Sequence, residues 1–419
     1  MAHISYTRQV QFAHRTSIGE IVPANLELNN FAIFCGHPQQ RVALATHAIS
    51  RYAGRIGVVV IHDDNMIVNQ ISQLPRLLNN PDLQVRSDRG KVYDPLYGMS
   101  ASAIVDLLAP MDLANPMSQN ISTLRSAILA YLDIMKYQFS QGAGPFGDYP
   151  YNLNLLLQLT AMSYSELNCR VLQYLPPKIV QSIDVRINDS HLQQQVYSCV
   201  ANLAATMQEY LWQPRDFAGH SCISIIDSVV KRQVICLRVP HAHTPLFNYI
   251  DAELKVLSNQ NIPFLLVNCS LNISSHRNIQ NWFLDAQAHK SYYTAIITSS
   301  VSDIVSDKDQ RSKIFSHYQQ IFVYQCAAVE QAEPFSAQYG QYYRLQTELQ
   351  VGRSRRPFHL FSSHEQSNTQ RYIAEPNIRP EDLTDRPNGL LLCGSAYRLP
   401  ILIDYFDTTG GINNGTLLP

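Results

Sequence analysis

The sequence predicts an α/β fold: a doubly wound, mostly parallel sheet with a helical block inserted into it. Three observations carry this. Short apolar runs recur at residues 31–35, 58–61, 234–239, 264–267, 294–298 and 321–324. Helix-length segments separate the later ones, at about 244–259, 277–289 and 308–319, and strands alternating with helices argue for parallel pairing. Between 111 and 218 the strand-like runs stop, and apolar residues return at helical spacing, as in Ile121, Leu124, Ile128, Leu132 and Met135.

Residues 1–28 are mixed, and Ile18 to Val22 suit a strand. The segment 29–65 then reads as strand, turn, helix, strand. Gly36-His37-Pro38 is turn chemistry, because Gly tolerates positive φ and Pro fixes φ. Residues 40–52 contain neither Gly nor Pro and suit a helix, which Gly54 stops. This βαβ unit has the form a P-loop takes. Laid on Gly36, the pattern GxxxxGK[ST] places Arg41, Val42 and Ala43 where Gly, Lys and Ser/Thr belong. The scaffold of a phosphate site is present and its chemical groups are missing.

Further along, residues 67–78 read as one helix, 83–86 as a short strand, 92–100 as a strand running into an Asp-Pro turn, and 101–108 as a helix. Within the helical block, helices are expected over 120–138, 153–159, 163–175 and 191–212, with Pro176-Pro177 breaking the chain. Residues 331–347 read as helical, and 390–393 and 401–406 as two strands joined through Gly394-Ser395. The expected organisation is a first core segment 1–110, a helical insertion 111–218, a second core segment 219–406 and a flexible tail 407–419. No period of ~20–50 residues repeats, which argues against a solenoid.

Composition bounds the function. The chain has 419 residues, 46% hydrophobic, with a formal net charge of −1, so no overall basic field draws it to nucleic acid or membrane. Charged residues make up 16%, below the ~25% of ordinary globular chains, and a weakly charged surface suits coverage by partners. The eight cysteines form no CxxC pair, and most sit in apolar runs, as buried free thiols of a reducing compartment do. The N-terminus has no apolar signal core, and no run approaches the ~18 apolar residues of a membrane span. The expected location is cytoplasmic, at the inner face of a membrane only through partners.

In order and spacing, the chain resembles the TraG/TraD-like coupling ATPases of conjugation and type IV secretion, within the FtsK–HerA class. The resemblance rests on the P-loop unit ending in Val58 to Asp63, the turn Tyr93-Asp94-Pro95-Leu96, the inserted helical block, and the final segment from Ile378 to Leu383 and on to Phe406. It implies a RecA-like P-loop NTPase core with an all-alpha domain inserted. It also implies where catalytic groups belong, and this chain departs at each place. The Lys that contacts phosphates and the hydroxyl that holds Mg²⁺ read Val42 and Ala43; the paired acids read Asn268 and Cys269; and Ser299 and Ser300 stand where a Gln sensor is common.

The expected function is therefore a catalytically degenerate, pseudo-ATPase component of a conjugation or type IV secretion apparatus. It would act by binding secretion-system partners, an ATPase ring among them. Gly36, His37, Arg41 and Asp63 mark the degenerate nucleotide or anion site, where a helix N-terminus offers free N–H groups for weak ATP or anion binding; no other cofactor is implied. Two alternatives stand beside it. One is an active ATPase with a nonstandard site built on Arg41 and Asp63 or Asp64, driving DNA or protein transfer. The other is a non-motor nucleic-acid-binding module, for which Arg353, Arg355 and Arg356 are the candidate contacts; the competing reading of that run is a solvated basic loop. His241 and His243 lack a further ligand, so no metal site is expected. No GxSxG occurs, so a nucleophilic hydrolase is not supported.

Overall fold

The computed structural model describes residues 9–15, 28–63, 65–86, 92–110, 119–142, 147–210, 222–239, 244–285, 291–354, 363–384, 389–394 and 399–405. In chain order, β1 (Gln11–Arg15) and β2 (Phe31–Cys35) precede α1 (Pro38–Ser50). Next come β3 (Gly57–His62), α2 (Asn65–Ile71), α3 (Pro75–Leu78), β4 (Gln84–Arg86), β5 (Val92–Tyr93) and α4 (Ala101–Leu108). A run of helices follows: α5 (Gln119–Ser140), α6 (Leu153–Ala161), α7 (Tyr164–Arg170), α8 (Pro177–Ile187) and α9 (Ser190–Tyr210).

Alternation then resumes with β6 (Cys222–Ile223), α10 (Ile225–Val230), β7 (Val234–Arg238), α11 (Thr244–Asn259), β8 (Phe264–Cys269), α12 (Arg277–Leu284) and β9 (Tyr292–Thr298). The chain closes with α13 (Lys308–His317), β10 (Gln320–Tyr324), α14 (Val329–Gln338), β11 (Gln341–Ser354), β12 (Ser363–Pro376), α15 (Pro380–Thr384), β13 (Gly389–Cys393) and β14 (Ile401–Tyr405).

The fold is α/β with mostly parallel pairing, and it divides into two compact units. One holds residues 26–30 and 42–297. Its strands run in the order β9-β8-β3-β7-β4, all parallel. Every residue of β3 and β8 is buried, because helices must cover both faces of a parallel sheet. Gly57 opens β3 where a Cβ would lie 2.6 Å from the Val229 Cα, so only Gly lets α10 approach the strand this closely. The helical run lies in this unit. Ile128, Leu132, Met135, Leu156, Val196, Val200 and Met207 are all sealed from solvent, as the helical spacing predicts.

The second unit holds residues 1–25, 31–41 and 298–419. Here β2 pairs parallel with β10, β10 antiparallel with β13, β13 antiparallel with β14, and β14 parallel with β1. Phe34, Phe315 and Phe335 build its core, with ring centroids 5.3 Å apart for Phe34–Phe335 and 5.6 Å for Phe315–Phe335. β11 and β12 form a separate two-stranded sheet.

Several expectations are corrected. The single helix over 67–78 is two, since Pro75 opens α3 after a turn at Ser72 to Leu74. The break at Pro176-Pro177 is present, and it is followed by a helix that the sequence reading lacks: Pro177 opens α8, where its missing N–H costs nothing. The helix over 331–347 ends at Gln338, and β11 starts at Gln341. β8 runs two residues past Val267, so Asn268 and Cys269 lie inside the strand.

Candidate functional site

The turn after β2 spans only Gly36 and His37 before α1 begins at Pro38. Residues 38–41, which the P-loop pattern assigns to a phosphate-cradling loop, are helical. Pro38 also brings no N–H to the first helical position. The Gly36 N–H donates to the Gln325 carbonyl at 3.0 Å. A Cβ on Gly36 would lie 2.5 Å from that oxygen and 2.8 Å from the Ala327 nitrogen. Gln325 itself holds φ at +44°, a conformation that costs a non-Gly residue on the order of 1 kcal/mol or more. Gly36 is thus required by close approach of two backbones.

Arg41 turns back on the strand: its Nη1 donates to the Cys35 carbonyl at 3.2 Å, and its own N–H donates to His37 O at 3.0 Å. The Cys35 thiol donates to His37 O at 3.2 Å. Burial pushes that thiol up to about 11, with backbone hydrogen bonding at His37 and the Arg41 charge acting the other way. His37 is exposed.

The positions of the paired acids lie in the other unit. Asn268 is opposite Ile61 on one side and Ile296 on the other, and is fully buried. Its Nδ2 donates to Leu271 O at 3.0 Å, while its Oδ1 has no hydrogen-bond partner among the described residues. Such an orphan costs ~1–3 kcal/mol. Cys269 sits between His62 and Ile297, equally buried. Ser270 then takes φ +66° and keeps its N–H on Ile297 O at 2.8 Å. Asp63 follows β3 at a half-buried position.

After β9, the polar groups are absorbed into a cap. Asp303 Oδ2 accepts from the Thr298 hydroxyl, from the Ser299 hydroxyl at 3.1 Å and from the Ser300 N–H at 3.1 Å.

Sequence reasoning missed a buried carboxyl pair. Glu253 on α11 is sealed from solvent; Tyr93 donates its hydroxyl to one oxygen, and the Ile226 N–H donates to the other at 3.1 Å. Asp94, in the Asp-Pro turn, accepts from the Leu96 N–H at 2.9 Å and the Leu153 N–H at 2.7 Å. Burial raises Glu253 to about 8 and Asp94 to about 6, against the hydrogen bonds that favour their charged forms. The neighbouring Cys222 thiol is pushed to about 12 by burial and by Asp94. The Asp-Pro turn was visible in the sequence, but nothing in a helix of ordinary composition marked Glu253.

Arg353 lies in β11, whereas Arg355, Arg356, His241, His243 and Asp64 fall outside the described residues. No group of three or more His, Cys, Asp or Glu among the described residues is placed to hold a metal ion. Among them, too, no helix is long and apolar enough to cross a membrane.

No family model and no curated protein matches the sequence. Among solved structures, the chain is similar to the bacterial conjugative coupling protein TrwBdeltaN70 in its unbound monoclinic form, at 9% identity and a TM-score of 0.46. The match covers 95% of this chain and 89% of that one. The trigonal form of the same protein in complex with sulphate matches at 10% identity and a TM-score of 0.45, with the same coverage.

Proposed function

We propose that this chain is a catalytically degenerate, coupling-protein-like component of a conjugation or type IV secretion apparatus, acting through the partners it binds. The reading takes residues 1–110 and 219–406 as a RecA-like core, 111–218 as its helical insertion and 407–419 as a tail. The observation that carries it is the two-residue turn between β2 and α1. A phosphate cradle needs a loop whose N–H groups converge on the anion, and here the Gly36 N–H is bonded to Gln325.

Val42 and Ala43 are helical residues without the ammonium and hydroxyl of the motif. Phosphoryl transfer rests on positioning and electrostatic stabilisation, so losing the Lys, the Mg²⁺ hydroxyl and both acids removes most of what drives it. Gly36, His37, Arg41 and Asp63 then mark the remnant of a nucleotide or anion site, and Asn268 and Cys269 the remnant of its acids. Partners, secretion-system proteins or an ATPase ring, bring the chain to its place of work, membrane included.

The test is steady-state turnover of ATP with Mg²⁺ by the wild type beside Arg41→Ala. The reading expects no turnover by either at the rate of a motor. Hydrolysis by the wild type that Arg41→Ala abolishes would establish the active, nonstandard ATPase instead. In a transfer assay, Arg41→Ala should retain the function that deletion of the chain removes.

A further inference from the structure

β11 and β12 pair over 14 residues each and join no other strand among the described residues. At ~3.3 Å per residue the ribbon is about 45 Å long. Two strands alone are marginal in water, and both edges of a ribbon carry rows of backbone groups able to template a further strand.

We propose that the edge of β12 is a self-association surface: β12 pairs antiparallel with β12 of a second copy of this chain, about a two-fold axis through Ile373. The hydrogen-bonding parity comes first. The Asn377 N–H donates to Gly340 O at 3.0 Å, so that pair is bonded within the ribbon and bonded pairs alternate from there. Gln370, Tyr372, Ala374 and Pro376 therefore turn their backbone groups to the outer edge.

Register comes second. An axis through Ile373 sets Tyr372 opposite Ala374 of the second copy, with both partners' outward groups in place. It also sets Arg371 opposite Glu375 of the second copy, twice over by symmetry. Arg371 and Glu375 lie on the same ribbon face, since they are four positions apart in the strand. Opposed charges across a strand pair are favourable, and like charges directly opposite are not. Moving the axis to Arg371 would oppose two guanidinium groups. Pro376, which cannot donate, ends the run.

The exposed apolar surface fits the same occupant. Tyr343, Leu345 and Tyr372 lie on one face of the ribbon and are 40%, 46% and 58% exposed. Pairing across β12 doubles that face into a four-stranded sheet, with the small Ala374 leaving room for the Tyr372 ring. Glu375 already accepts from the Tyr342 hydroxyl at 2.7 Å and lies 3.5 Å from Arg344, which together hold its carboxylate below the usual range.

The experiment is sedimentation equilibrium of the full chain over a concentration series, for wild type, Arg371→Glu, Glu375→Arg and the double exchange. A reversible dimer is expected, weakened about tenfold or more by Arg371→Glu and recovered in the double exchange, as complementary charge requires. Hydrogen exchange gives an independent readout, because the Tyr372 and Ala374 amides should slow as concentration rises. A monomer throughout the series overturns the proposal. So does a dimer indifferent to Arg371→Glu, or salt-sensitive oligonucleotide binding by a monomer that Arg371→Glu abolishes. None of these outcomes bears on ATP turnover, so this inference and the proposed function fail separately.

Discussion

The turn at Gly36–Arg41 and the carboxyl pair Asp94–Glu253 are opposite kinds of polar site. At the turn, a cation and a helix start stand near solvent, and their hydrogen bonds are spent on the backbone beside them: Arg41 on Cys35, Gly36 on Gln325. At the pair, two acids are sealed away and held by Tyr93 and by the N–H groups of Ile226, Leu96 and Leu153. The turn has the order of a catalytic motif and the bonding of a structural joint. The pair has no motif, yet it ties β5, α6, α10 and α11 together. Resemblance to a family's motif order and stored electrostatic energy therefore mark different places in this chain.

Breaking the pair should have the largest effect. Glu253→Ala leaves the Tyr93 hydroxyl and the Ile226 N–H buried without their acceptor, at a cost on the order of 3–5 kcal/mol. Urea unfolding of wild type and variant measures it. Glu253→Gln keeps most of the shape and should cost less.

The pair should also set the pH dependence. Both folded values are raised, Glu253 from 4.5 to about 8 and Asp94 from 3.8 to about 6. The folded state then binds more protons than the unfolded one, and stability falls as pH rises. For Asp94 the loss runs from about pH 4 to 6, and for Glu253 from about pH 4.5 to 8. Glu253→Gln should flatten the upper part of the curve. An unchanged slope between pH 6 and 8 would mean that Glu253 is charged in the fold.

At the turn, Gly36→Ala drives a Cβ into the Gln325 carbonyl and should destabilise by about 1–3 kcal/mol. A chain whose turn opens to hold phosphate would tolerate it better. The smallest effect is expected from Asn268→Leu, which removes the orphaned Oδ1 at similar volume but also takes the Nδ2 donor from Leu271 O, so gain and loss should offset to within about 1 kcal/mol. A loss of about 3 kcal/mol or more would mean that the oxygen has a ligand.

Much of the fold was legible in the sequence because buried parallel strands are continuous apolar runs, as in Val58 to Ile61 and Phe264 to Val267. The ribbon was not. β11 carries Gln, Arg, Leu and Glu, which are good helix formers, and these mask the alternation of Tyr343, Leu345, Leu349 and Val351 that marks a strand. The aliphatic run of β8 ends at Val267, and the polar Asn268 after it imitates a strand end although Asn268 and Cys269 lie inside the sheet. At the candidate site, the missing chemical groups were legible, since they are residue types. The turn was legible too, as Gly36-His37-Pro38 followed by a helix from about residue 40; only the start of α1 at Pro38 needed the backbone.

The central claim is that the turn after β2 is scaffold and not a phosphate cradle. Equilibrium titration of the full chain with ATP and Mg²⁺, for wild type and Arg41→Ala side by side, tests it most directly. No saturable binding by either chain is the expected result. Saturable binding by the wild type that Arg41→Ala removes would contradict it, because the guanidinium would then have left the Cys35 carbonyl for a phosphate.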